Sequence, residues 1–131
     1  MRGQISIEYI VIVAMVLILT IPILYYATSK STEDTRLNDA GSAVEAIQSL
    51  ADKVYYLGKG TRDFTTVTIP SGVTTATVVG HEINIILGIY AGKNDITRTT
   101  LAPVGGVLPT KKGIYKIYAT YDINGTVIIS Y

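Results

Sequence analysis

The longest run of apolar residues lies near the N-terminal end of the chain, where residues 10–27 carry no charge and consist mainly of Ile, Val, Leu, Met and Ala. At about 1.5 Å per residue, a helix over residues 10–27 is long enough to cross most of the roughly 30 Å hydrocarbon layer of a membrane. The pattern therefore predicts a membrane-inserted helix over residues 4–27. Glu8 lies at its start, where a lipid-facing carboxylate is unfavourable, by up to about 2.5 to 3.5 kcal/mol at the bilayer centre. This acid requires an explanation.

A second helical pattern follows in the more polar part of the chain. Its apolar residues recur at alternating steps of three and four, which places them on one stripe of a helix: Leu37, Ala40, Val44, Ile47, Ala51 and Val54. Gly58 and Gly60 are expected to end this helix near Leu57. We therefore predict that residues 28–58 form a water-exposed, amphipathic continuation of the first helix.

Pro22 interrupts the apolar helix. It has no amide donor and its ring clashes with the carbonyl of Ile18, so we expect a kink or a locally melted turn. The hydroxyl of Thr20 is expected to bond a freed carbonyl nearby.

From Asp63 the apolar pattern has a period of two, which is typical of strands. A first strand is expected before a turn at 70–72, and Asn124-Gly125 predicts a hairpin. The remaining predictions are strands over 73–79, 81–90, 96–100, 113–122 and 126–131, a strand end at Gly80, a turn at 92–94 and a loop over 102–109. Residues 59–131 thus form a small antiparallel sheet of five or six strands, one face of which packs on the helical stripe. The predicted fold class is α+β.

Composition narrows the possible functions. A chain of 131 residues holds one domain besides the long helix, and its net charge of +1 gives no reason to expect nucleic acid as a partner. There is no cysteine, and His81 is the only histidine, so the sequence offers neither a metal cluster nor a set of catalytic bases. Gly105-Gly106 lacks the context of a phosphate-binding loop. We expect no cofactor and no enzymatic activity.

The residues before the apolar run indicate processing. A secretory signal peptide has its small-residue cleavage site after the apolar core, whereas Arg2 and Gly3 precede it here. The sequence resembles the class III signal sequence of archaeal type IV pilins, with its Gln-x-Ser-x-Glu pattern, at Gly3, Gln4, Ser6, Glu8 and Tyr9. The order of segments in residues 59–131 also resembles archaeal pilin heads.

This resemblance implies that a prepilin peptidase removes residues 1–3 by cutting between Gly3 and Gln4. Glu8 then becomes the fifth residue of the mature chain, where type IV pilins carry their assembly glutamate. The further partners implied are the membrane before assembly, an assembly ATPase with its membrane platform, and copies of the chain itself in a helical filament.

Glu8 acquires a physical role in such a filament. When apolar helices pack together, a carboxylate among them is tolerable only if it is paired. The resemblance implies that Glu8 of an incoming subunit meets the free amine of Gln4 of a neighbour, which cleavage creates. Pro22 then marks a segment that stretches on assembly. The alternative is that Glu8 lies at the cytoplasmic interface of a single-span protein, near Arg2.

We therefore expect a structural subunit of an archaeal type IV pilus-like surface filament, which is first membrane-inserted and then extracellular. Thr and Tyr side chains on the outer face of its sheet are expected to serve adhesion or subunit contacts. Two alternatives are a minor pilin or pseudopilin of a secretion or uptake apparatus, and a single-span, surface-anchored binding domain. Asn124-Gly125-Thr126 matches an N-glycosylation acceptor, although the hairpin turn demands the same residues.

Overall fold

A computed structural model of the chain describes residues 2–89 and 92–131, with side chains described from residue 6 onward within these ranges. The first element is one long helix, α1 (Arg2–Leu57), which contains Pro22. Gly58 follows it with a φ of 98° and donates its N–H to the Tyr55 carbonyl at 3.2 Å, so glycine ends the helix as predicted. Thr20 donates its hydroxyl to the carbonyl of Val16 at 2.6 Å and not to that of Ile18.

The chain divides into two compact units, Met1–Asp34 and Thr35–Tyr131. The described residues of the first unit are all helical, and the second unit contains the remaining turns of α1 and the strands described below. Each unit is therefore described by itself.

The second unit contains a five-stranded sheet in the part of the chain that the structure describes. Its strands are β1 (Arg62–Ile69), β2 (Val73–Ile89), β3 (Gly92–Val107), β4 (Gly113–Tyr121) and β5 (Val127–Ser130). They lie in the order β1-β4-β5-β3-β2. The α+β class, with a long N-terminal helix and a sheet, is confirmed.

The sheet is mixed, which differs from the purely antiparallel prediction. The pairings β1·β4, β4·β5 and β2·β3 are antiparallel, but β3 and β5 run parallel. The reason is topological. The β4–β5 hairpin pairs with β1 through β4, so β5 is left to pair with β3 in the direction that the hairpin imposes.

Three predictions drawn from the sequence for β2 and β3 are wrong. Gly80 does not end a strand, because β2 continues to Ile89, and most of the expected loop over 102–109 belongs to β3. The register shifts at this point: Gly80 pairs with Val104 but Glu82 pairs with Thr99, so β3 carries the extra residues of a bulge. The expected turn at 92–94 is also strand, and Tyr90 of the expected strand 81–90 lies outside the described residues.

The core of the second unit lies between α1 and the inner face of the sheet, as the apolar stripe predicts. Val44, Ile47 and Val54 of α1 are fully buried, and Leu37 packs against the same cluster. The strands contribute buried side chains at alternate positions, among them Val67, Ile69, Ile83, Ile85, Leu87, Ile117, Ala119, Val127 and Ile129. Each fully buried side chain of the size of Val or Ile stabilises the fold by about 1.5–3 kcal/mol.

Helix side chains bond the backbone of β3 at and beside the bulge. Gln48 donates its amide to the Thr99 carbonyl at 2.8 Å, and the Asp52 carboxylate accepts the Leu101 N–H at 2.9 Å. The two side chains are four residues apart on α1, so both point to the same stretch of β3. Within the bulge, the buried Thr100 hydroxyl donates to the Ala102 carbonyl at 2.8 Å. The bulge is thus fixed against the helix.

The sheet is also curved. The N–H of Gly88, near the end of β2, donates to the carbonyl of Gly72 at 2.8 Å. Because Gly72 immediately precedes Val73, the first residue of β2, this bond brings the end of β2 back to its start, so the strand bends along its length. A bulge increases local twist and bends its strand, which accounts for part of this curvature.

Gly106 permits the close approach of β3 and β5. Its φ is 136°, and a Cβ atom built there would lie 1.9 Å from the carbonyl oxygen of Ile129. No side chain fits this position, because the contact is with backbone. Gly106 therefore has a structural role in the parallel strand pairing.

We predict that Gly106→Ala destabilises the protein by about 3 kcal/mol or more, because it combines a positive φ with a backbone clash. Gly105→Ala is the matched control, since a Cβ at Gly105 would meet only the Thr126 methyl group at 4.0 Å. We expect that control to change stability by less than about 1 kcal/mol. Thermal unfolding of the full chain in detergent, followed by circular dichroism, measures both. Equal stability of the two variants would contradict this role for Gly106.

Candidate functional site

The first unit is a helix whose apolar side chains are uncovered. Every side chain that the structure describes from residue 6 to residue 32 is exposed. Among the described residues, Ser6–Leu57 is the one helix long and apolar enough to cross a membrane by length and composition, and none of its most apolar window is buried. Such a surface is unstable in water and requires a lipid or protein environment.

Glu8 is the only acid in this apolar stretch, and it is exposed. Within the part of the chain that the structure describes, it forms no hydrogen bond or ion pair. Gly3 and Gln4, the residues of the predicted cleavage site, lie in the backbone of α1, and Gln4 precedes Glu8 by one helical turn. No described side chain of this subunit therefore neutralises Glu8.

Pro22 lies about 20 Å further along the helix axis from Glu8. The helix continues without a break through this proline. Thr20, and beyond it Thr28 and Thr32, donate their hydroxyls back to carbonyls three or four residues earlier in the same helix. These bonds satisfy hydroxyl groups that would be costly to leave unbonded in an apolar environment.

Asn124 lies in the second unit, in the connection between β4 and β5. The predicted hairpin is confirmed, but its loop has three residues and not two: Gly125 donates to the Asp122 carbonyl at 3.1 Å, and Asp122 donates to the Thr126 carbonyl at 2.9 Å. Gly125 has a φ of 84°, as a turn followed by a left-handed residue requires. Asn124 is exposed, and its amide donates to the Asp122 carboxylate at 2.7 Å. The side chain is accessible to a modifying enzyme.

A further surface emerges only from the strand register. On β1 and β4, residues at alternate positions face away from the core. The exposed ring of Phe64 lies beside the ring of Tyr118, with centroids 5.9 Å apart. Arg62 lies over the Tyr118 ring at 4.7 Å, and Lys116 lies over the Phe64 ring at 4.5 Å. We call these four residues the aromatic-cation cluster.

Analysis of the sequence alone missed this cluster. Alternation in Tyr115–Tyr121 correctly separates an outward Tyr118 from the inward Tyr115 and Tyr121. It does not show that Tyr118 pairs with Phe64 across 54 residues of chain. A signal was available in the matching alternation of β1, but using it required the knowledge that β1 and β4 are neighbours.

An ion pair attaches β1 to α1 beneath this surface. Lys53 of the helix donates to the Asp63 carboxylate at 2.6 Å, and the backbone N–H of Phe64 donates to the other oxygen of the same carboxylate at 2.8 Å. The Lys53 hydrogen bond, with that of Phe64, lowers the pKa of Asp63 below its ordinary 3.8. This pair directs Asp63 toward the helix, so its neighbours Arg62 and Phe64 face outward.

No described residues form a group of three or more His, Cys, Asp or Glu side chains that could hold a metal ion. His81 is exposed on β2, where its Nδ1 lies 3.3 Å from the Thr100 carbonyl at the bulge. Comparison of the chain with protein-family models, with curated proteins and with solved structures finds no match.

The Asp63 pair predicts a pH dependence. Because the pKa of Asp63 is lower in the folded chain than 3.8, its contribution to stability is present above pH 3.8 and is lost as the pH falls through the folded value. The effect is small, since the Lys53 and Asp63 side chains are 62% and 28% exposed. We expect Asp63→Asn to flatten the loss of melting temperature below about pH 4. Glu82→Gln, which removes an exposed carboxylate without an ion pair among the described residues, is the control. An unchanged acid slope in Asp63→Asn would contradict the assignment.

Proposed function

We propose that this protein is a pilin-like structural subunit of an archaeal type IV pilus-like surface filament. The observation that carries the proposal is the stretch of α1 over residues 6–27: it is apolar, exposed along its length and contains a single acid, Glu8, near its start. A filament core of parallel copies buries such a surface. The resemblance of Gly3, Gln4, Ser6, Glu8 and Tyr9 to a class III signal sequence supports the same function.

Cleavage and assembly are linked in this proposal through Glu8. A prepilin peptidase cuts between Gly3 and Gln4 and leaves a charged amine on Gln4. The apolar helix holds the subunit in the membrane until an assembly ATPase and its platform transfer it to the filament. There the Glu8 carboxylate pairs with the Gln4 amine of a neighbour, because an unpaired charge among apolar helices is strongly unfavourable. One repeated, heterologous contact of this kind generates an open polymer.

The second unit is the head of the proposed subunit. Its sheet uses the inner face to bury α1, which leaves the outer face for contacts with other molecules. Adhesion is the role that we assign to this face. Asn124, exposed in the β4–β5 hairpin, is the candidate position for a glycan.

A surface-anchored, single-span binding domain remains the second candidate. The aromatic-cation cluster is the observation behind this candidate, because an exposed group of this kind suits ligand binding and does not require the chain to polymerise. In that case Glu8 lies at the membrane interface and has no partner in another copy. A minor pilin or pseudopilin of a secretion or uptake apparatus would share the helix and differ in its low abundance within filaments.

Glu8 is expected to be required for filament assembly. In cells that assemble the filament, we expect Glu8→Ala to reduce the amount of sheared, pelletable filament at least about tenfold, because it leaves the Gln4 amine unpaired among apolar helices. Glu45→Ala is the matched control, since Glu45 is an exposed helix acid of the second unit and lies outside the apolar run. We expect its filament yield to equal that of the wild type. Normal filament yield with Glu8→Ala would refute the pairing mechanism.

Removal of residues 1–3 is expected to precede filament assembly. Intact mass of the native protein is expected to show a chain that begins at Gln4, whereas Gly3→Val is expected to retain Met1, remain in the membrane and form no filament. Gly41→Ala, where an added Cβ meets no atom within 4 Å, is the control for a glycine change in the helix. A glycan on Asn124 would give the native protein a mass greater than that of the trimmed chain. This excess mass would disappear in the Asn124→Gln variant. A native chain that keeps Met1 and never polymerises would favour the anchored binding domain.

A further inference from the structure

The outer face of β1, β4 and β5 carries positive charge without a compensating acid. The outward positions of these three strands, all of which the structure describes, hold two cations, two aromatic rings, aliphatic side chains and hydroxyl groups, but no carboxylate. Elsewhere acids and bases nearly balance, since the whole chain has 11 Lys and Arg and 10 Asp and Glu. The segregation of charge on this face is therefore a local property of the sheet.

The two cations are held in place and yet remain available. Arg62 and Lys116 each lie over an aromatic ring on the neighbouring strand, at diagonal positions of the β1·β4 register. Among the described residues neither forms an ion pair or a hydrogen bond. The cation-π contacts restrict the side chains without using their N–H donors. An incoming anion therefore meets two preoriented donors.

Besides its two cations, this face presents aromatic rings and hydroxyl groups that a ligand can contact. Phe64 is 51% exposed although it is a large apolar side chain, and it lies against Tyr118. Thr66 lies opposite Lys116, and Thr120 lies opposite Arg62, so each cation has a hydroxyl-bearing neighbour on the adjacent strand. This combination suits a polymer with C–H faces that pack on aromatic rings, many hydroxyl groups and widely spaced anions.

We propose that the aromatic-cation cluster binds an acidic polysaccharide, whose carboxylate or sulfate groups pair with Arg62 and Lys116 while a sugar ring packs on Phe64 and Tyr118. Single-stranded nucleic acid is the less suitable ligand, because it carries a charge on every nucleotide whereas this face offers two cations. The proposal rests on the adhesive role assigned above to the outer face, and it names the chemical class of the ligand.

Binding of the full-length chain in detergent micelles to immobilised polymers tests this proposal. The probes are polygalacturonate for carboxylates, dextran sulfate for sulfates, unmodified dextran as the neutral polymer and an oligothymidylate as single-stranded nucleic acid. We expect binding to one or both acidic polysaccharides, with the stronger of the two identifying the anion, and weaker binding to the other probes. Equal or tighter binding to dextran or to the oligonucleotide would overturn the proposal.

Two double variants separate a specific site from net charge. Arg62→Gln with Lys116→Gln is expected to weaken polysaccharide binding about tenfold or more, because two charge-assisted contacts are lost. Lys93→Gln with Arg98→Gln removes the same charge from exposed residues of β3 and is expected to change binding less than about twofold. Equal losses in the two double variants would overturn the site.

A third variant tests the ring. Phe64→Thr keeps the charge and places a strand-forming residue at an exposed position, so it is expected to fold and to weaken binding several-fold by removing the apolar surface beneath the sugar. Far-UV circular dichroism checks the fold of every variant. Unaltered binding in folded Phe64→Thr would overturn the aromatic contribution.

Filament yield in the same strains keeps this proposal separate from the proposed function. Filaments that form normally but do not bind acidic polysaccharide refute only the ligand. A chain that binds acidic polysaccharide but never polymerises refutes the proposed filament function and supports the proposed ligand class.

Discussion

Burial of the apolar stripe of α1 is the interaction on which the second unit depends. The buried residues of the helix face the sheet, and polar side chains at both margins of the stripe also contact it. Gln48 and Asp52 bond the bulged backbone of β3, whereas Lys53 pairs with Asp63 on β1. A sheet that reaches both margins has to curve around the helix. The bulge, the Gly72–Gly88 bond and the close β3–β5 approach at Gly106 are consistent with that requirement.

The same packing determines which surfaces remain for function. Because the inner face of the sheet is occupied by α1, alternate residues of β1, β4 and β5 necessarily point outward. Phe64 and Tyr118 become neighbours on that face, and each acquires a cation from the opposite strand. The Lys53–Asp63 pair contributes by holding β1 on the helix. The proposed binding site is thus a consequence of how the core is built, and no separate binding loop is needed.

The first unit presents the opposite physical situation. Its helix has an apolar surface that no described part of the chain buries, and so its stability depends on other molecules. A membrane and a bundle of identical helices both bury the apolar surface, but they differ in whether they supply a charge partner for Glu8. Lipid offers this carboxylate no partner, whereas a bundle of processed chains offers an amine. In the function proposed above, this difference is the physical reason for a cleaved subunit to move from the membrane into a filament.

The sequence by itself determined the features that depend on local pattern. Apolar runs and periods of three to four placed α1 and its buried stripe, alternation placed β1, β4 and β5, and Asn124-Gly125 placed the final hairpin. Only the tertiary structure decided the parallel β3·β5 pairing, the bulge in β3 opposite Gly80, the role of Gly106 and the aromatic-cation cluster. Each of these depends on contacts between residues far apart in the chain, such as Gly106 with Ile129 or Phe64 with Tyr118. Periodicity describes which face a residue occupies, but strand order and register decide what it meets there, and these are set by the packing of the whole sheet on the helix.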